Sequence, residues 1–113
     1  MLIVIFRASL RHVDEEYHAM ARVLRELAFD EFGCLDFQSR TEQGEEISIS
    51  WWPDEAAIMG WRQHPAHRLA QQRGKEHWYN SWSVEVAAVT RAYQYDPMDT
   101  SQSLDNVHYL TRP

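Results

Sequence analysis

Glycine and proline are scarce, four of each in 113 residues. That leaves little chain for linkers or low-complexity segments, so most residues are expected in helix or strand. A lone cysteine, Cys34, cannot close an internal disulfide, which points to a reducing, cytoplasmic setting. No apolar run is longer than the opening Leu2-Ile3-Val4-Ile5-Phe6, far short of the roughly 20 residues that cross a bilayer, and Arg7 directly after it argues against a leader peptide. Positive charge is in deficit: 17 acidic against 11 basic side chains leave a formal charge of -6. Such a chain repels phosphate backbones and anionic lipid, so neither nucleic acid nor membrane is expected as a partner. A Gly-rich phosphate loop, a Walker lysine, a nucleophile elbow and Cys/His zinc spacing are all missing, which removes most familiar enzyme classes and any expected metal.

What is present reads as one domain with alternating periods. Leu2 to Phe6 suits a strand covered on both faces. Asp14 caps an amphipathic helix with Tyr17, Met20, Ala21, Leu24, Leu27 and Ala28 on one side, ended by Gly33. Leu35, Phe37 and Ser39 then alternate with polar neighbours up to Gln43-Gly44, and Ile47, Ile49 and Trp51 alternate with Ser48 and Ser50, predicting a β-hairpin. Pro53-Asp54-Glu55 opens a second helical region, split at His64-Pro65, whose later piece carries Ala66, Leu69, Ala70, Arg73 and His77 on one face. From about Trp82 to Tyr95 the period is two, with a phase change that suggests a bulge.

The order β-α-β-β-α-β predicts an α+β, ferredoxin-like sandwich: a four-stranded antiparallel sheet with both helical regions on one face. The other face is too apolar for water, so a second copy is expected to cover it, two protomers forming a dimeric α+β barrel. The far half of the long final strand is expected to pair with that partner. Residues 1–96 make the domain, and residues 97–113 read as a C-terminal arm, polar at first and apolar at Leu104, Val107, Tyr109 and Leu110, that docks on the partner or frays.

Chemistry concentrates around the second helical region, in Trp51, Trp52, Trp61, His64, His67, His77, Trp78 and Trp82. Most of these tryptophans suit a core or a dimer interface. His64 and His67 flank Pro65 and can serve as base and acid for a phenolic or enolic proton, or stand as exposed helix residues. Arg7, Arg73 and His77 lie where charge needs company, either a structural partner such as Glu85, Asp36 or a helix end, or an anionic ligand. Cys34 reads as a small buried hydrophobe.

Val4-Ile5-Phe6-Arg7, Ser50-Trp51-Trp52 with Glu55-Ala56-Ala57-Ile58, the segment Trp61-Arg62-Gln63-His64-Pro65-Ala66-His67-Arg68 and Trp78-Tyr79 together give the chain a likeness over about residues 2 to 95. It resembles the antibiotic biosynthesis monooxygenase family of dimeric α+β barrels. The resemblance implies a homodimer with a pocket for a small apolar or aromatic ligand in each subunit. It implies a small monooxygenase that oxidises an aromatic or quinone-like molecule with dioxygen and no cofactor. Carried over, Trp61, His64 and His67 form the catalytic set, with Trp61 packed on substrate and a histidine handling the proton. Phe6, Arg7, Trp51, Arg73, His77 and Trp82 bind substrate, Arg73 steadying the anion. The family's haem-binding and haem-degrading branch, with haem as cofactor, is the alternative, although its first-strand asparagine is replaced here by Phe6-Arg7. A non-enzymatic dimer that sequesters a small ligand is the third reading.

Overall fold

A computed structural model describes residues 1–98 and, as backbone only, the strand 107–110. Its elements run β1 (Leu2–Leu10), α1 (Glu15–Phe32), β2 (Asp36–Glu42), β3 (Glu45–Trp52), α2 (Glu55–Gln63), α3 (Pro65–Arg73), a π-helical turn (Gly74–Trp78), β4 (Tyr79–Ala88), β5 (Ala92–Tyr95) and β6 (Val107–Leu110). The first four strands form an antiparallel sheet in the order β2-β3-β1-β4, the ferredoxin-like arrangement predicted above.

Local chemistry sets the boundaries. The Asp14 carboxylate accepts the Tyr17 N–H at 2.8 Å and starts α1; Gly33, with φ of 72°, ends it by returning its N–H to the Ala28 carbonyl. Asp54 caps α2 through the Ala57 N–H at 2.9 Å. Pro65 cannot donate within a helix, so the chain breaks after α2 and restarts as α3 with Pro65 in its first turn. The β2–β3 turn places Gln43 and Gly44 at φ of 51° and 77°. That pair of left-handed residues matches the twist of a two-residue hairpin.

Strand alternation divides the sheet into two faces. Even-numbered residues of β1 and β3, and of β4 from Trp82 onward, face the helices, so Val4 and Ala8 join Ser48, Ser50, Trp52, Ala28, Ile58 and Trp61 in the buried interior. Odd-numbered residues carry Ile3, Ile5, Ile47, Ile49 and Trp51 to the open face, where Arg7 pairs with Glu85 at 2.5 Å. Cys34 is buried, its thiol donating to the Asp36 carbonyl at 3.2 Å while burial raises its pKa.

Two expectations change. The final strand starts earlier, at Tyr79, and does not run unbroken to Tyr95. The last pairing of β4 with β1 is Ala88 opposite Leu2, followed by a bond from the Val89 N–H to the Met1 carbonyl at 3.0 Å, and there the strand stops. The far half, β5, pairs with β6 of the same chain. The rest of the 97–113 arm, including Leu104, and its docking on a partner lie outside the described residues. Among the described residues no helix is long and apolar enough to cross a membrane.

Candidate functional site

The helices do not seal the sheet completely. Between them lies a cavity of about 160 Å³, open on one side and mainly apolar, walled by the sheet residues Val4, Phe6, Phe37 and Val84 and the helix residues Met20, Leu24, Trp61 and Ala70. Its floor is the buried face of β3, where a strand would ordinarily present bulky side chains but here presents Ser48 and Ser50. Small residues on that face make the room.

Trp61 holds one end. Its indole N–H donates to the Leu24 carbonyl at 2.9 Å, tying α2 to α1. Its ring lies 5.0 Å from Trp52 and meets Phe37 edge-on at 6.0 Å. Trp52 is fully buried and donates to the Ser50 hydroxyl at 2.8 Å, so it is a structural anchor under Trp61. His67, in the first turn of α3, stands edge-on to Trp61 at 4.5 Å and lines the cavity. Burial, and then the positive charge of Arg62, lower its pKa to about 4. The imidazole is therefore neutral near pH 7, and its buried Nδ1 has no hydrogen-bond partner. Arg25 and Arg62 line the cavity too, Arg25 lying 5.2 Å over the Phe37 ring.

The other end is polar in a different way. Tyr17 donates its phenolic hydrogen to Glu46 Oε1 in a short bond, Ser48 donates to Glu46 Oε2 at 3.0 Å, and the Ser39 and Ser48 hydroxyls lie 2.7 Å apart. Burial raises the phenol pKa values of Tyr17 and Tyr79, and the Glu46 charge adds to it, so both remain protonated donors. Trp78 meets Tyr17 edge-on at 5.5 Å. The π-helical turn sets these rings: a wider turn shifts the phase after Gly74, so Trp78 turns inward. A Cβ on Gly74 would fall 2.7 Å from the Tyr79 ring, so a glycine there lets Tyr79 fold against the turn.

Of the residues predicted from sequence, the structure brings Trp61, His67, Phe6 and Trp82 to the cavity, Phe6 stacking on Trp82 at 6.4 Å. It places the others elsewhere. His64 caps α3, its Nδ1 accepting the Ala66 N–H at 3.0 Å. Arg7 and Trp51 stand on the opposite sheet face, by the parity of their strands. Arg73 approaches Glu16 at 3.8 Å. His77 leaves the apolar stripe at the π-helical turn and is exposed, its carbonyl accepting from Arg11 at 3.3 Å. Sequence reasoning missed Tyr17, Glu46, Ser48, Arg25 and Arg62 as site residues. The legible signal was Glu46-x-Ser48-x-Ser50: small polar residues on alternate positions of an otherwise apolar strand mark a wall with space in front of it. Among the described residues no cluster of three or more His, Cys, Asp or Glu could hold a metal ion.

The family model for antibiotic biosynthesis monooxygenase matches residues 1–73. The uncharacterized protein YqjZ of Bacillus subtilis is 37% identical over 89 residues, 78% of each chain. Jasmonate monooxygenase ABM of Pyricularia oryzae is 23% identical over 94 residues, covering 80% of this chain and 44% of that longer protein. In three dimensions the chain is similar to SnoaB, a cofactor-independent oxygenase from Streptomyces nogalater, with a TM-score of 0.67 and 10% identity, covering 80% of this chain and 94% of that one. At that identity the likeness concerns the fold.

Proposed function

The chain belongs to the antibiotic biosynthesis monooxygenase family, and from that premise we propose that it is a cofactor-independent monooxygenase for an aromatic or quinone-like molecule held in the cavity. The observation that carries this reading is His67: a neutral imidazole on an apolar cavity wall, edge-on to Trp61 and near Arg62.

The substrate hydroxyl donates to His67, and Arg62 and Arg25 steady the resulting oxyanion, the part sequence reasoning assigned to Arg73. A base with so low a pKa holds the proton of an ordinary phenol poorly, so the hydroxyl is an acidic one, conjugated to a carbonyl. The anion reduces dioxygen and the two recombine at ring carbon. A C–O bond forms, the O–O bond breaks, one oxygen stays as a quinone carbonyl and the other leaves as water with the ring and hydroxyl protons. The substrate supplies all four electrons, so the balance requires no further reductant. Trp61 packs against the ring, and the apolar walls exclude water from the anion.

We propose that the working unit is a homodimer, the second copy covering the open sheet face of Ile3, Ile5, Ile47, Ile49 and Trp51, because water is a poor neighbour for so many adjacent apolar side chains. Haem fits the residues present less well. The Glu46 carboxylate faces the cavity, and His64 uses its Nδ1 in the helix cap.

The test is oxygen uptake with a panel of hydroxyquinones in the presence of a chelator and without added flavin. His67→Ala is expected to lose at least about 100-fold in kcat/KM, the usual span for a proton-transfer group, while His64→Ala keeps its rate. The acid limb of kcat/KM is expected near pH 4 rather than 6.5. Unchanged rates in His67→Ala would remove the base, and with it the mechanism.

A further inference from the structure

Outside the cavity, the exposed flank of α1 carries a shallow groove lined by His18, Ala21, Arg22 and Arg25. At 3.6 residues per turn His18, Arg22 and Arg25 fall within about 60° of arc. Beside them runs the stripe of Tyr17, Met20, Ala21, Leu24 and Arg25 that walls the cavity. Ala21 and Arg25 belong to both, so the groove adjoins the edge of the cavity.

The charge in this groove is uncompensated. Among the described residues the ion pairs use Arg7, His12 and Arg73, and none uses Arg22 or Arg25. Glu26 follows Arg22 by four residues, a spacing at which a pair can form, and makes none. This holds in a chain with 17 acidic side chains against 11 basic ones. Arg22 instead stands three residues from Arg25, where like charges on a helix repel, and four from His18. Arg25 is steadied by lying 5.2 Å over the Phe37 ring. Two guanidinium forks and an imidazole N–H thus gather round a small residue. A guanidinium matches an oxyanion with two parallel donors, and such bonds are charge-assisted. We infer that this groove is an anion site, taking a carboxylate or phosphate group between Arg22 and Arg25 with His18 at its side. The anion arrives free or as the charged substituent of a molecule whose body enters the cavity. Arg22 is the residue particular to the groove, since Arg25 also faces the cavity. The site goes beyond the proposed oxidation and stands without it.

Proton–nitrogen correlation spectra of the arginine Nε–Hε groups in the full chain test it. Sodium phosphate is titrated against sodium chloride at constant ionic strength, so that general screening is the same in both. The Arg22 and Arg25 signals are expected to shift saturably with phosphate, with half-saturation at about 1–10 mM, as two charge-assisted pairs allow. Arg40, exposed on β2, should respond to phosphate as it does to chloride. Arg22→Gln should weaken phosphate about fivefold, read from Arg25, and Arg22→Glu, which sets an acid three residues before Arg25, should abolish saturation. Acetate and 2-naphthylacetate tell the two sources apart. Binding of naphthylacetate about tenfold tighter than acetate, with the Trp61 indole signal moving too, puts the anion on a cavity ligand. Equal binding of the two with Trp61 unmoved makes it a free ion. Phosphate shifts that stay linear, that match those of chloride, or that survive Arg22→Glu would overturn the anion site, and would leave the cavity and its proposed reaction untouched.

Discussion

Acidification should loosen this protein through one side chain, His67. An imidazole ordinarily titrates near 6.5, and burial with Arg62 alongside lowers that of His67 to about 4. Between those values the unfolded chain takes up a proton that the native state refuses. The unfolded state therefore binds more protons, and stability rises with pH across the interval. In the other direction, the stability present above pH 6.5 is lost as the pH falls towards 4 and changes no further below it. At 1.36 kcal/mol per tenfold change in proton affinity the full loss is about 3 kcal/mol. Solvent at the cavity mouth screens part of this and sets the expected loss at about 2 kcal/mol. Urea unfolding followed by tryptophan emission reads it out, with Trp52, Trp61 and Trp78 buried as reporters. The quantity to compare is wild type minus His67→Gln, which carries no titrating group at that position. Subunit concentration is held fixed, because association adds to apparent stability. With slopes of about 1–3 kcal/mol per molar urea, the wild-type midpoint should fall by about 1 M more than that of the variant between pH 7 and pH 4.5. Parallel midpoints across that range would show that His67 is solvated like any surface histidine, and the buried-base reading would be lost.

Two further outcomes follow from the backbone and the open face. Gly44→Ala places a Cβ at φ of 77° with nothing within 4 Å to clash, so the cost is conformational, about 1–2 kcal/mol, and urea unfolding at pH 7 should show it. A loss below 0.3 kcal/mol would mean the hairpin does not hold its left-handed turn. Ile5→Arg puts a charge in the middle of the open face, between Ile49 and Glu85. Sedimentation equilibrium should find wild type at twice the subunit mass and the variant at the subunit mass. A wild-type monomer would remove the dimer proposal.

The elements were legible because each is written in local chemistry. Asp14, Gly33, the Gln43-Gly44 turn and Pro65 act within a few residues of themselves, and the two hydrophobic periods fix which segments are helix and which are strand. Their order and the preference for right-handed crossovers then leave little choice but the ferredoxin-like sheet, and the greasy odd-numbered positions of β1 and β3 announce a face in need of cover. The site is another matter, because a cavity is made by what several distant segments fail to fill. Whether Arg7 or Arg62 faces a ligand depends on strand parity relative to helices that pack only in three dimensions. Glu46, Tyr17 and Trp78 meet only because a hairpin, the first helix and a π-helical turn converge at one end of the sheet. The turn is decisive. A single widening of the helical pitch after Gly74 carries His77 out and Trp78 in, and no periodicity read along the chain registers a change of phase that tertiary packing imposes.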